Sequence, residues 1–411
     1  MAVNDYQPGF PVEIIQEGKV KVLVPRLRDF ARRPCDYAPS KAPVFYNPVM
    51  ELNRDIAVLV VQSYQKLADR NITVSEPLTG CGLRGIRFAA EVVGVESAVI
   101  GDINENAFKL ANHNVQINGL AGSVTVEWQE ANLALAVHSA PRMRFDVIDI
   151  DPFGSPVPFL DSAVRALKNH GLIAVTATDM ASLCGVHPKA CLRKYGGKSL
   201  RTEYCHELAV RLLSGCLATV AAKYDIGVKV VFSHRGEHYV RVYAMIEYGA
   251  RCADLSLEEM GFVFHCFNCF HRETVTGSVL PKHWPRTCVE CGSPLSIAGP
   301  LWLGKISDRD FCGLIDMEVE KRRLKSAGKI ENMLRLIRNE SESDVGYYVV
   351  DEICDLLGLP VPSVEKVVES LEEQGFSSNL TQFNSRGIRS KAPAKVLAKI
   401  LKELAFQVRD G

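Results

Sequence analysis

The chain has 411 residues, 47% of them apolar, enough for two or three domains with filled cores. Lys+Arg and Asp+Glu stand at 48 each, which excludes a polycation that grips nucleic acid by bulk charge and leaves that role to local patches. Its 13 cysteines are scattered, no apolar run approaches the roughly 18–20 residues that span a bilayer, and residues 1–5 lack a leader-like pattern, so the expected setting is reducing, intracellular and cytoplasmic.

Over residues 1–250 strand-like and helix-like stretches alternate, which predicts an α/β fold with a mainly parallel, Rossmann-like sheet covered on both faces. Strands are expected near 71–76, 97–102, 124–128, 145–150 and 171–178, and helices over 50–67, 84–93, 104–117, 158–168 and 203–223. After the first strand, Gly80, Gly82 and Gly85 keep the G-x-G-x-x-G spacing of a tight turn that opens a helix close to a ligand. The second strand ends at Asp102, 20 residues past Gly82, where a carboxylate accepts hydrogen bonds from the ribose hydroxyls of NAD or S-adenosylmethionine. The third ends Glu127-Trp128-Gln129-Glu130-Ala131-Asn132, where methyltransferases of this fold usually place an acidic or polar residue beside the adenine. The fourth delivers Asp151, then Pro152-Phe153-Gly154. That carboxylate can accept an N–H from an exocyclic amine while the aromatic ring stacks on a flat base. The run resembles the Asp/Asn-Pro-Pro-Tyr/Phe signature of methyltransferases that modify nucleobase amino groups. Segments 228–234 and 239–246, joined through Gly236, read as an antiparallel hairpin ending the sheet. The base-holding motif and the hairpin favour S-adenosylmethionine over NAD.

Residues 251–305 change character. Cys266-x2-Cys269 and Cys288-x2-Cys291 are separated by 18 residues, a zinc-ribbon-like spacing whose four thiolates would close a tetrahedral shell around a structural Zn²⁺. His265, His271 and His283 lie near it and are read as supporting or exposed rather than as ligands. From 306 the chain becomes helical, with seven Lys/Arg and one acidic residue within 321–338. Amphipathic helices over 346–357 and 363–374, a small wing over 376–390 turning at Arg386-Gly387, and a last helix from Pro393 predict a winged-helix-like module. The expected domains are therefore 1–250, 251–305 and 306–411. Two acid-free basic stretches stand out as phosphate-binding candidates. One is Lys189, Arg193, Lys194, Lys198 and Arg201, expected in a loop after the fifth strand. The other is Arg386, Arg389, Lys391, Lys395, Lys399 and Lys402.

Several long motifs then occur together in order: 43–48 with Asn53-Arg54-Asp55, 76–87, 149–156, 176–179 and 184–195. Through them the chain resembles the tRNA (guanine-26)-N2 dimethyltransferase family over nearly its whole length. The resemblance implies S-adenosylmethionine as methyl donor, tRNA as partner, and an Asp151 that accepts the N2–H of a flipped guanine. It further implies that Arg54, Arg84, Asp102, Glu130 and Ala131 contact the cofactor and that Phe45 and Phe153 sandwich the base. Glu130 stands where some members carry Asp, and some members lack the cysteine cluster. Methylation of another amine, such as adenine N6 or a glutamine amide, is one alternative. A nucleic-acid-binding regulator with a Rossmann-like sensor is another, although a sensor needs no catalytic carboxylate.

Overall fold

The computed structural model describes residues 7–31, 38–280 and 282–409; the N-terminal pentapeptide lies outside them. The chain divides into two compact units, residues 1–152, 158–176 and 313–330 in the first, and 153–157, 177–312 and 331–411 in the second.

The first unit begins with a hairpin that the sequence pattern does not announce, β1 (Val12–Glu17) and β2 (Val20–Pro25), paired from Val12↔Pro25 to Glu17↔Val20. It is followed by α1 (Glu51–Ala68), β3 (Ile72–Glu76), α2 (Leu83–Glu91), β4 (Val95–Asp102), α3 (Glu105–Ile117), β5 (Val124–Trp128), α4 (Ala131–Val137), β6 (Phe145–Ile150), α5 (Val157–Arg165) and β7 (Leu167–Ala177). Strands β3 to β7 are parallel in the order β5-β4-β3-β6-β7. The order reverses between β3 and β6, which puts a topological switch point, the usual ligand crevice of an open α/β sheet, beside Glu76, the last residue of β3, and Asp151, the first after β6. Every residue of β6 is buried, as expected of a central parallel strand. All five expected strands and the helices between them are present, most within two residues of their expected ends.

The N-terminal hairpin is fixed by side chain–backbone pairing: Asn114 of α3 accepts from Leu23 N at 2.7 Å and donates to Leu23 O at 2.9 Å. Beneath it lies a buried ionic cluster. Arg87, fully buried, donates to Glu17 at 2.9 Å, Asp55 at 2.7 Å and Glu91 at 2.8 Å. Arg54 pairs with Glu17 at 2.6 Å. Three buried carboxylates and two guanidiniums thus lock the hairpin to α1 and α2.

The second unit carries α6 (Met180–Leu183), α7 (Pro188–Tyr195), α8 (Cys205–Ala222), β8 (Ile226–Arg235), β9 (Val240–Tyr248) and α9 (Ala250–Glu258). The pair β8–β9 is the expected antiparallel hairpin, in register from Ile226↔Tyr248 to Arg235↔Val240. Helix α8 is, at 18 residues and mean hydropathy 1.3, long and apolar enough to cross a membrane, contrary to the sequence-based expectation, but 78% of it is buried within the protein, as in a core helix. Next come β10 (Met260–His265), β11 (Arg272–Thr276) and β12 (Ser296–Trp302), in the order β11-β10-β12. Two helices follow, α10 (Arg309–Glu320) and α11 (Ala327–Glu340), whose 313–330 portion belongs to the first unit.

The C-terminal module has β13 (Tyr348–Val349), α12 (Val350–Leu357), α13 (Val364–Glu373), β14 (Ser378–Thr381), β15 (Asn384–Ser390) and α14 (Ala394–Arg409). Helix–helix–wing–helix order is present, with β13-β15-β14 as the small sheet. The wing turns at Gln382-Phe383, since Thr381 faces Asn384; Arg386 and Gly387 lie within β15 instead. Ser363 caps α13 by accepting from Lys366 N, as its position before the amphipathic run predicts.

Removing one partner of a buried ionic cluster leaves charges uncompensated and typically costs about 3–5 kcal/mol. Arg87→Met should therefore lower the unfolding free energy by roughly that amount, measured by urea titration; a loss below about 1 kcal/mol would mean that the three carboxylates re-pair without it.

Candidate functional site

The glycine turn between β3 and α2 is built as the spacing demands. Gly80 and Gly82 have φ of +55° and +83°, and a Cβ on Gly80 would lie 3.0 Å from the carbonyl oxygen of Phe45. Gly85 packs where a Cβ would collide with Ile100 at 2.3 Å, so α2 sits flush on β4. Asp102, at the end of β4, accepts from Gly80 N and Asn104 N, both at 2.9 Å. Burial raises its pKa above the ordinary carboxylate value, against the pull of those N–H groups. The 43–48 segment lies over the same strand ends, with Asn104 Nδ2 donating to Pro43 O at 2.7 Å. Glu130 caps α4 through Leu133 N at 2.9 Å, and Ala131 is the buried first residue of that helix.

One side chain joins this turn to the strand that carries Asp151. Arg84, in the first turn of α2 and almost fully buried, donates through Nη2 to Asp151 and through Nη1 to Asn53 at 2.8 Å. Its Nε lies 3.3 Å from Glu76, and Nη1 lies 3.8 Å from Asp149. Glu76 also accepts from Thr79 Oγ1 at 2.6 Å and Gly85 N at 2.9 Å. Burial pushes its pKa up to about 8 despite Arg84. Asp151 itself keeps 17% of its side-chain surface open, so the carboxylate is anchored on one side and accessible on the other.

After Asp151-Pro152, Phe153 is 65% exposed. The turn that follows is fixed by Gly154 N donating to Thr178 Oγ1 at 2.7 Å and Thr178 N donating to Gly154 O at 2.9 Å. Two further motifs meet at Asp179, which accepts from Tyr195 Oη at 2.5 Å and from Lys194 Nζ at 2.8 Å.

The four cysteines of the ribbon come together. One Sγ from each of Cys266, Cys269, Cys288 and Cys291 lies within 4.8 Å of the others, with Cys266–Cys291 at 3.4 Å and Cys269–Cys288 at 3.5 Å. A Zn–S bond of about 2.3 Å in a tetrahedron calls for sulfurs roughly 3.8 Å apart, so the donor set fits that ion with small adjustments. The two turns are alike: Phe270 N donates to Cys266 O at 2.9 Å and Gly292 N to Cys288 O at 2.8 Å, with φ of +64° and +74° at Phe270 and Gly292. Of the neighbouring histidines, His271 bonds Glu290 at 2.9 Å and His265 bonds Tyr204 at 3.2 Å, so neither is among the four ligands.

Residues 18–402 match the TRM family, described as N2,N2-dimethylguanosine tRNA methyltransferase. The chain belongs to this family. A relative from Methanothermobacter thermautotrophicus, named tRNA (guanine(26)-N(2))-dimethyltransferase, is 41% identical over 94% of this chain and 98% of its own. One from Aquifex aeolicus, named for both guanine 26 and guanine 27, is 34% identical over 96% of each. The structure of Trm1 from Pyrococcus horikoshii with S-adenosyl-L-methionine superimposes with a TM-score of 0.81 at 33% identity, covering 95% of this chain and 99% of the other.

Against the family's motifs, two expected cofactor contacts are engaged within the protein. Arg54 bonds Glu17 and the carbonyl of Asn47, both Nη atoms lying 3.2 Å from that oxygen, and so holds the 43–48 segment. Arg84 is committed to Asp151. Glu76 and Asn53, present in the quoted motifs but given no role there, prove to be its further partners. What could have flagged Glu76 is its position at a strand end beside the glycine turn, the same signal that selected Asp102.

The basic stretches divide. Lys189, Arg193, Lys194, Lys198 and Arg201 are all exposed, but the first three lie on helix α7, not in a loop. In the second stretch Lys391, Lys395, Lys399 and Lys402 are exposed, whereas Arg389 is not available to phosphate. It is 3% exposed and pairs with Glu207 at 2.9 Å and Glu340 at 2.5 Å. Arg386 bonds Asp351 at 2.8 Å and Pro362 O at 2.9 Å.

Glu76 has a pKa raised from 4.5 to about 8, so the folded state holds a proton that the unfolded state releases. Its contribution to stability is fully present below pH 4.5 and is lost as pH rises through about 8. Unfolding free energy without cofactor should fall across that window, and Glu76→Gln should flatten the fall; an unchanged pH slope would remove Glu76 as its source.

Proposed function

We propose that this chain transfers methyl groups from S-adenosylmethionine to the exocyclic N2 of guanine 26 in tRNA, with Asp151 accepting the N2–H. The observation that carries the site assignment is Arg84, which spans from the glycine turn to Asp151 and leaves one face of that carboxylate open. On this reading the main-chain turn at Gly80 and Gly82, with Asp102 and Glu130, receives the cofactor's adenosine portion, and Ala131 borders the adenine. Arg54 and Arg84 shape the pocket by holding Asn47 and Asp151.

The chemistry follows from the nucleophile. Guanine N2 is weakly nucleophilic because its lone pair is delocalised into the ring. A carboxylate that accepts N2–H localises the lone pair and stabilises the positive charge growing on nitrogen. The sulfonium methyl then transfers in line, and holding the two reactants together supplies much of the rest. One hydrogen remains on N2 after the first transfer, so the same acceptor serves a second. The base must leave its stack at a cost of a few kcal/mol, offset in part by stacking on Phe45 and Phe153. Zn²⁺ at Cys266, Cys269, Cys288 and Cys291 fits a structural role, since four protein ligands leave no open position. We assign residues 1–250 to catalysis, 251–305 to the ribbon and 306–411 to tRNA binding.

Asp151→Asn should lower methyl transfer by about 10²–10⁴-fold, read as methylated guanosines in tRNA digests by mass spectrometry, with cofactor affinity retained. Activity within about tenfold of wild type would remove Asp151 as the acceptor.

Replacement of Lys189 and Arg193 by Ala should weaken tRNA binding and reduce the logarithmic salt slope by roughly 0.7–0.9 for every phosphate that is no longer neutralised. An unchanged slope would assign phosphate binding to Lys391, Lys395, Lys399 and Lys402 instead.

A further inference from the structure

Cys184, Cys205 and His206 have no part in the reaction described above. Cys184 follows helix α6, and Cys205 and His206 open α8, 21 residues later. The intervening chain carries Lys189, Arg193, Lys194, Lys198 and Arg201. It is braced where the cysteines meet: Ser199 Oγ donates to Leu183 O at 2.5 Å. Gly185, at φ +83°, has no room for a Cβ, which would fall 2.4 Å from the Leu200 carbonyl carbon and 2.5 Å from Arg201 N. The chain on either side of Cys184 is thereby pressed against the approach to α8. On the far side of the loop, Lys198 exchanges backbone hydrogen bonds with Gly299 at 2.9 and 2.8 Å.

This bracing gathers a compact donor set. One ligating atom from each of Cys184, Cys205 and His206 lies within 4.8 Å of the other two. Two sulfurs and an imidazole nitrogen are soft to borderline donors, suited to thiophilic ions and ill suited to Mg²⁺ or Ca²⁺, which take oxygen ligands. Cys184 Sγ also donates to the Cys205 carbonyl oxygen at 3.7 Å, so the two segments meet at this donor set.

We propose that Cys184, Cys205 and His206 form a second metal site, distinct from the four-cysteine ribbon, that takes a thiophilic divalent cation of the zinc class. Two thiols ionise on binding, their protons pass to solvent, and three new metal–ligand bonds form. The fourth position is left to water. The bound ion ties the two ends of the basic 184–205 segment together and limits the freedom of its phosphate-facing side chains.

The test loads reduced wild-type protein with ¹¹³Cd²⁺ and records its NMR spectrum, alongside the zinc content of protein dialysed against Zn²⁺. Two resonances are expected, one from the four-thiolate ribbon and one shifted toward mixed sulfur–nitrogen coordination. His206→Ala should displace or remove only the second. The double variant Cys184→Ser, Cys205→Ser should bind one zinc fewer per chain than wild type, while keeping the ribbon resonance as proof that it folds. A single resonance in the wild type, or zinc content unchanged in the double variant, would overturn the site. So would a peptide map of the zinc-dialysed protein in which Cys184 and Cys205 are joined by a disulfide.

Discussion

A buried guanidinium is costly unless its donors are used, and Arg84 uses its own on both halves of the candidate site. It rises from the first turn of α2, where the glycine spacing fixes the backbone, and ends on the carboxylate delivered by β6. Because β3 and β6 are neighbours in the sheet, this reach is short, and it crosses the point where the strand order reverses. The position of Asp151 is therefore coupled to the glycine turn between β3 and α2. A shift of either one would strand charge in a place that water does not reach.

The same physics recurs away from the site. The formal net charge is zero, yet a set of Arg, Asp and Glu side chains is not on the surface. Arg87 and Arg54 gather three carboxylates under the N-terminal hairpin. In the second unit Glu207, wholly buried, accepts from Arg211 at 2.7 Å and lies 2.9 Å from Arg389. Burial alone would raise its pKa, but the two guanidiniums outweigh this and hold it near 2. Charge balance read from composition therefore says little about which cations face a ligand. Paired arginines disappear into the interior, whereas the lysines of the basic stretches stay exposed, consistent with the stronger hydration of an ammonium.

The parallel sheet was legible because its signals are local and redundant: a buried apolar run, a glycine turn, a carboxylate at a strand end. The cysteine spacing was equally informative, since a four-thiolate site imposes both separation and turn geometry. Helix α7 is harder to see, although Pro188 stands at its first turn and Gly196 ends it in the left-handed conformation, both ordinary helix boundaries. Its basic composition masks the pattern and suggests a loop. The N-terminal hairpin escapes notice because the groups that fix it, Asn114 some ninety residues away and the arginines that pair with Glu17, lie far along the chain, where no local pattern reveals them. The wing lies where the sequence puts it but its turn does not: Arg386-Gly387 has turn chemistry, yet Gly387 is needed inside β15, where a Cβ would meet Thr381 at 2.5 Å. Arg389 illustrates the general limit. A run of cations in sequence does not show which member points inward, because on a strand alternate side chains take opposite faces.

The buried pair of Arg389 and Glu207 also bears on how this architecture can vary over time. Helix α8 supplies the anion and the terminal module supplies half of its neutralisation, so the module is not an appendage that can be shed while α8 stays unchanged. Loss of the segment would strip Glu207 of the Arg389 guanidinium and of the Gly346 N–H, leaving Arg211 as its remaining cation. Lineages that trim or exchange this part of the chain must change α8 in step, and a grafted terminal module must bring its own cation to the same spot. Inheritance of the two pieces is linked by electrostatics rather than by any shared role toward substrate.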